Sequence, residues 1–160
     1  MKKYCYSVLV IAMFLMSCKQ DRTVDVTVMP KETTTGANTF GCVIDDWIYV
    51  GGRYFLPVDK QSIKFNYTAA NRMEVKVKVK DIGKTYEWIV FTINAPIIEK
   101  QKTPFSNAKW IDINGNPGED LGSGNVDITR FDEVAKIISG RVTGDRIKHG
   151  QFDVMYAEKN

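Results

Sequence analysis

The sequence predicts an all-β fold, an antiparallel β-sandwich or a small β-barrel of about seven to nine strands. Two observations support this prediction. Apolar and polar residues alternate at period two in several short segments, most regularly in residues 73–80, and no segment after residue 18 has the period of an amphipathic helix. Because 44% of the residues are hydrophobic, the chain can build a packed core and is not wholly disordered.

The first predicted element is a hairpin. Residues 40–44 and 47–50 are two mainly apolar runs, and the short acidic pair Asp45 and Asp46 separates them. Two strand-like runs joined by two turn-forming residues are typical of a β-hairpin. Cys42 falls within the first strand, where we expect it to be a small buried side chain rather than a reactive thiol.

The later predicted strands show the same alternation and are separated by segments rich in Gly, Asn, Asp or Pro. Between them, residues 94–109 are predicted to be irregular and residues 114–124 to form a long Gly/Asn loop. The later strands are predicted at residues 62–67, 73–80, 85–93, 110–111, 126–131, 135–142 and 151–156.

A series of lysines occupies the polar face of one predicted strand. Lys76, Lys78 and Lys80 alternate with valines, and Lys64 lies on the preceding strand. One interpretation is contact with an anionic glycan or with lipopolysaccharide phosphate. The other is a solvated strand face whose lysines discourage pairing at a sheet edge.

The first 17 residues have the features of an export signal. Lys2 and Lys3 precede an apolar run that is shorter than the ~20 residues of a membrane-spanning helix. Residues 15–18 read Leu-Met-Ser-Cys, an order that resembles a bacterial lipobox. This resemblance implies cleavage before Cys18 and attachment of a two-chain lipid anchor to its thiol.

Residues 18–37 are predicted to be the lipidated cysteine and a flexible tether, and residues 38–160 a single β domain. The tether prediction rests on many Thr and charged residues and few large apolar ones. An alternative remains for Val24, Val26 and Val28, which alternate with polar residues and are compatible with a first strand.

Both ends of the chain resemble one protein family. Residues 35–42 read TGANTFGC, residues 138–140 read ISG, and residues 150–156 read GQFDVMY. With the lipobox, these segments resemble a family of uncharacterised Bacteroidetes lipoproteins. The resemblance implies a β-rich domain anchored in the cell envelope, and it implies no activity.

The charge balance excludes nucleic acid as the expected partner. The formal net charge is +3, and it falls to +1 when Lys2 and Lys3 leave with the signal. The expected partners are a membrane, through the lipid anchor, and a glycan or another envelope protein. Because Lys19 follows the lipidated cysteine, we expect the bacterial outer membrane, with the periplasmic or surface-facing side left open.

The sequence contains no pattern typical of a catalytic site. The single histidine, His149, stands beside a glycine, and no nucleophile elbow or papain-type cysteine motif is present. We therefore expect no enzyme activity, no catalytic residue and no cofactor. His149 is predicted to be a surface turn residue.

Residues 112–123 have part of the spacing of a calcium-binding loop. However, Pro117 occupies the position that requires Gly, and Ser123 occupies the position of the bidentate Glu. The Asn and Gly residues of this segment also form good turns without a metal. We therefore expect no metal site.

The aromatic residues either fill the core of the β domain or provide a candidate ligand site. Trp47, Tyr49 and Tyr54 lie around Gly51 and Gly52, which are predicted to expose that end of the hairpin. The leading hypothesis is a non-enzymatic binding or accessory module of the envelope. The alternatives are a lipocalin-like barrel that binds a small apolar ligand and, less favoured, a glycan hydrolase that uses two carboxylates.

Overall fold

The computed structural model describes residues 25–52, 63–80, 87–112 and 114–159. Cys18 and Tyr54 lie outside these ranges. The described residues form ten strands and one short 3-10 turn, Val26–Val28. In chain order, β1 to β10 cover Thr39–Ile44, Trp47–Gly52, Ile63–Thr68, Met73–Lys80, Glu87–Ile93, Lys102–Ile111, Pro117–Asp132, Ile137–Gly144, Ile147–Met155 and Ala157–Lys159.

Eight of the strands close into an antiparallel barrel. Each strand from β4 to β9 pairs with the next, β9 pairs with β1, β1 with β2, and β2 with β4, which completes the ring. The predicted all-β fold is confirmed, and the barrel is the one of its two alternatives that forms. The strand count, ten, exceeds the predicted seven to nine by one.

The two remaining strands lie at the junction between β4 and the rest of the ring. β2 pairs with β4 only at Val79 and Lys80, whereas β3 pairs with β4 from Met73 to Val77. β10 directly follows β9 and pairs in parallel with β3. As a result, β2 pairs with the C-terminal end of β4, and β3 pairs with the rest of β4. β10 pairs with the other side of β3.

The interior of the barrel is filled by side chains from nearly every strand. Phe40, Phe65, Phe105 and Phe152 belong to one buried cluster, in which the rings of Phe65 and Phe152 lie 5.0 Å apart. Cys42 is completely buried in this cluster, which confirms the predicted packing role, and burial raises the pKa of its thiol. Within the described ranges, no helix has the length and apolar character required to cross a bilayer.

Strand β7 corrects the predicted Gly/Asn loop at residues 114–124. The strand begins at Pro117 and continues for 16 residues. β7 and β8 lie so close together at Gly124 that only glycine fits. A Cβ atom at this position would lie 2.3 Å from the backbone oxygen of Thr143. The glycines that suggested a loop therefore permit close approach between strands. Similarly, β6 occupies much of the segment predicted to be irregular.

Residues 25–38, here called the N-terminal strap, lie along the outside of β1, β9 and β8. Glu32 pairs with Arg141 of β8 at 2.9 Å, Gln151 of β9 donates to the backbone oxygen of Pro30, and Pro30 covers Gly41 of β1. The sequence predicts a flexible tether for most of this segment. The structure instead places it against the barrel, because local polar groups find partners on the wall.

Asp153 holds the strap in place. This side chain is 1% exposed and accepts hydrogen bonds from the Thr33 hydroxyl at 2.5 Å and the Ser139 hydroxyl at 2.7 Å. The backbone amides of Gly36 and Ala37 donate to it at 2.8 and 3.0 Å. Burial by itself would raise the pKa of Asp153, but these hydrogen bonds outweigh it and lower the pKa to about 2.

The alternative first strand at residues 24–28 does not form. Val26–Val28 is a 3-10 turn, and Val24 lies outside the described residues. The turn forms because the Asp25 carboxylate accepts a hydrogen bond from the backbone amide of Thr27 at 3.0 Å.

Candidate ligand-binding site

An open concavity of about 460 Å³ lies at the end of the barrel where three described turns meet. These turns join β1 to β2, β6 to β7 and β8 to β9. The volume falls within the range of roughly 300–1,000 Å³ that is typical of small-molecule sites. The lining residues combine aromatic and charged side chains: Ile44, Asp45, Trp47, Tyr49, Glu87, Trp110, Asp112, Gly118, Glu119 and Arg146.

Three aromatic side chains form the apolar part of the concavity and are here called the aromatic mouth. Trp47 and Tyr49 are two residues apart on β2 and therefore share a face, and Trp110 comes from β6. Trp110 pairs with Ile89, whose side chain is in the core, so Trp110 also faces inward. The Tyr49 and Trp110 rings lie 4.9 Å apart at 60°, while Trp47 is 43% exposed.

The structure therefore brings together two of the three aromatic residues that the sequence predicted as a ligand site. Trp47 and Tyr49 line the same concavity, whereas Tyr54 lies outside the described residues. Trp110 was missed as a member of the site because it is more than 60 residues away in the chain. Only the pairing of β6 with β5 shows which face of the sheet it occupies.

Arg146 holds the polar side of the concavity. Its Nε lies 3.1 Å from both carboxylate oxygens of Asp45, and its Nη2 donates to Glu119 at 2.9 Å. Its Nη1 donates to the backbone oxygen of Asp120 at 2.8 Å. Hydrogen bonding to Arg146 holds the pKa of Asp45 below its usual range. One guanidinium thus fixes three chain segments around the concavity.

The β1–β2 turn places Asp45 at this site. Asp45 and Asp46 both have positive φ, 49° and 66°, which is the conformation of a two-residue type I′ hairpin. The predicted hairpin with its acidic turn is confirmed. Because this turn is tight, Asp45 and Trp47 lie on the rim and the wall of the same concavity.

The charged groups of the concavity are mostly acidic. Asp45, Glu87, Asp112 and Glu119 line it, and Arg146 is the only lining cation among the described residues. An anionic ligand would therefore meet a net negative field. Such carboxylates can accept hydrogen bonds from the hydroxyl groups of a ligand, and they attract cations.

Asp112 organises the β6–β7 turn. Its carboxylate accepts hydrogen bonds from the backbone amides of Asn114 and Asn116, each at 2.8 Å, and from the Asn116 side chain at 2.9 Å. These bonds, led by that from the Asn116 side chain, lower the pKa of Asp112. In the described parts of the chain, no group of three or more His, Cys, Asp or Glu side chains is arranged to hold a metal.

His149 lies on the outer wall, away from the concavity at the mouth. It is exposed, has a positive φ of 48°, and lines a second surface concavity with Met29 of the strap. Cys42 is enclosed within the core. The structure therefore does not bring these two potential catalytic side chains together.

No protein-family model, curated protein or solved structure matches this chain.

Proposed function

We propose that this protein is a lipid-anchored, non-enzymatic binding module of the bacterial cell envelope, and that its aromatic mouth binds a neutral glycan. The observation that carries this proposal is the convergence of Trp47, Tyr49 and Trp110 at the open end of the barrel. Aromatic ring faces provide rigid apolar platforms for the C–H faces of sugar rings. The surrounding carboxylates accept hydrogen bonds from hydroxyl groups.

The arrangement of carboxylates supports binding rather than hydrolysis. A carboxylate-dependent glycosidase needs one carboxyl group that stays protonated near neutral pH. Asp45 and Glu119 do converge, but both contact the same Nη2 of Arg146. Hydrogen bonding to this guanidinium lowers the pKa of Asp45, which keeps that carboxyl group ionised near neutral pH.

The packing of the core supports a ligand at the mouth rather than deep inside the barrel. A lipocalin-like function requires space between the strands for an apolar molecule. In the described strands, side chains fill the interior of the barrel instead. Phe40, Phe65 and Phe105 are each at most 1% exposed. At the mouth, by contrast, Trp47 is 43% exposed and lies beside an open concavity.

Fluorescence can test the mouth directly. Trp47, Trp88 and Trp110 are the three tryptophans of the chain, so Trp88→Phe leaves only the two in the mouth. Titration of this variant with neutral β-glucan, xylan, mannan and α-glucan oligosaccharides should change its emission for at least one of them. Adding Trp47→Ala should weaken that binding about tenfold or more, because a stacking platform is lost.

The matched control is Trp88→Ala, which removes a tryptophan from the outer face of β5. It should bind the same oligosaccharide within about twofold of the wild type, as measured by calorimetry. If no neutral oligosaccharide binds the wild type, or if both alanine variants lose binding equally, the proposed glycan site is wrong.

Acylation of Cys18 is tested by metabolic labelling. Expressed in a Gram-negative host, the full chain should incorporate radioactive palmitate, and Cys18→Ala should abolish the label because the acceptor thiol is gone. Cys42→Ala is the matched control and should retain the label, since that thiol is buried in the barrel. Label retained in Cys18→Ala would exclude this anchor.

A further inference from the structure

The outer face of the barrel opposite the strap carries a cross-strand row of lysines. Lys64 of β3 pairs with Lys76 of β4, Lys76 pairs with Val90 of β5, and Val90 pairs with Lys109 of β6. Paired residues share a face, so these side chains project from the same side of the wall. Lys64, Lys76 and Lys109, together with Lys78, are here called the basic wall.

Edge protection does not explain the lysines of β4. β4 pairs with β3 on one side and with β5 on the other, so the lysines of β4 do not protect an open edge. Like charges directly opposite each other on paired strands destabilise a sheet. Lys64 and Lys76 are such a pair, and Lys76 lies within the sheet, whereas Lys64 lies on β3, which β10 covers only at Asn66, Tyr67 and Thr68.

The three lysines of the row have no ionic partner among the described carboxylates. No ion pair joins Lys64, Lys76 or Lys109 to a described acidic side chain. The nearest acids along the sheet are Glu74, two residues before Lys76 on β4, and Asp120, which pairs with Lys109 from β7. The row therefore presents positive charge that is available to an external anion.

An aromatic side chain fixes part of the basic wall. The Nζ of Lys76 lies 4.5 Å from the ring centroid of Trp88, and the Nζ of Lys78 lies 6.0 Å from it. Cation–π contacts of this kind restrict the lysine side chains before any ligand arrives. Restricting them in advance reduces the entropy lost on binding.

We propose that the basic wall binds an acidic polysaccharide, whose carboxylate or phosphate groups contact Lys64, Lys76 and Lys109 across the strands. Four neighbouring strands at about 4.8 Å spacing give the row a span of about 14 Å, which suits a chain with repeated charges rather than a single ion. This site is separate from the aromatic mouth, where the carboxylates would repel the same ligand.

The position of the strap favours a polysaccharide over the membrane that holds the protein. The strap crosses β1, β9 and β8, and in the ring of eight strands β8 and β9 are the strands opposite β4 and β5. The N-terminal connection therefore leaves the barrel on the side away from the basic wall. A chain in the surrounding medium can reach that wall without displacing the strap.

The test combines Lys64→Gln, Lys76→Gln and Lys109→Gln in one variant of the full chain. Binding to polygalacturonate and to a phosphorylated mannan is measured by calorimetry at low salt, with titration of each polysaccharide into buffer as the blank. We expect the variant to bind at least one polyanion about tenfold more weakly than the wild type. Wild-type binding should also weaken as salt is raised.

A charge-matched control separates this site from the effect of net charge. Lys31→Gln, Lys100→Gln and Lys102→Gln remove three lysines from elsewhere and should leave affinity within about twofold of the wild type. Equal losses in both variants, unchanged binding in the row variant, or wild-type binding only to phosphatidylglycerol vesicles would each overturn the proposal. Trp47→Ala, which tests the mouth, should leave polyanion binding intact.

Discussion

Asp153→Asn is expected to lower the free energy of unfolding by about 3 kcal/mol at pH 7. The carboxylate accepts hydrogen bonds at both oxygens, from Gly36 and Ser139 at one and from Thr33, Thr35 and Ala37 at the other. An amide has a single acceptor oxygen, so its NH₂ group would face donors. Urea denaturation of both proteins at pH 7 measures the difference.

The same substitution should remove a pH dependence. The folded pKa of Asp153, about 2, lies below the value of roughly 3.9 expected in the unfolded chain. Its ionised form therefore stabilises the fold fully above about pH 4, and this contribution, on the order of 2 to 3 kcal/mol, is lost as the pH falls towards 2. The stabilities of wild type and Asp153→Asn should converge in that range.

Asp46→Asn is the control for this experiment. Asp46 is exposed in the β1–β2 turn and has a positive φ, which Asn tolerates, so the variant should remain within about 0.5 kcal/mol of the wild type. If Asp153→Asn were equally mild, or if its stability retained the wild-type pH dependence, Asp153 would not hold the strap in the way described.

Gly124→Ala is expected to destabilise the barrel by about 3 kcal/mol or more. The new Cβ would lie 2.3 Å from the Thr143 backbone oxygen and 2.4 Å from the Gly144 Cα, so β7 and β8 would have to separate. A flexible side chain could move aside, but paired backbone cannot. Thermal and urea denaturation measure the loss, and circular dichroism reports whether the β structure survives.

Gly115→Ala provides the contrast. Gly115 has a φ of +89° in the β6–β7 turn, and a Cβ there would meet nothing within 4 Å. Only backbone strain should arise, which costs about 1 kcal/mol. Similar losses in the two variants would contradict the close approach of β7 to β8.

The sequence predicts those strands that have one face against the core and the other face in solvent. In β4, residues Met73, Val75 and Val77 face the core while lysines face solvent, so the alternation is visible in the sequence. The β1–β2 hairpin was predictable for a local reason, because Asp45 and Asp46 favour a two-residue turn. In both cases the information lies within a few residues.

The sequence does not reveal features that depend on contacts between distant segments. The glycines of β7 look like loop residues until β8 is placed beside them. The strap looks like a tether because Asp153, which holds Thr33 and Ala37, comes more than 100 residues later. Trp110 joins the aromatic mouth only through the pairing of β5 with β6.

The docking of the strap has a consequence for the proposed lipid anchor, because it limits the length of chain between Cys18 and the barrel. If Cys18 carries the proposed lipid, the chain from that residue to Asp25 is seven residues long and can span at most about 25 Å. Asp25 precedes Val26 and Met29, which lie beside Thr143 and Lys148 near the β8–β9 turn. The same turn contributes Arg146 to the concavity, so the open end of the barrel would be held close to the lipid surface.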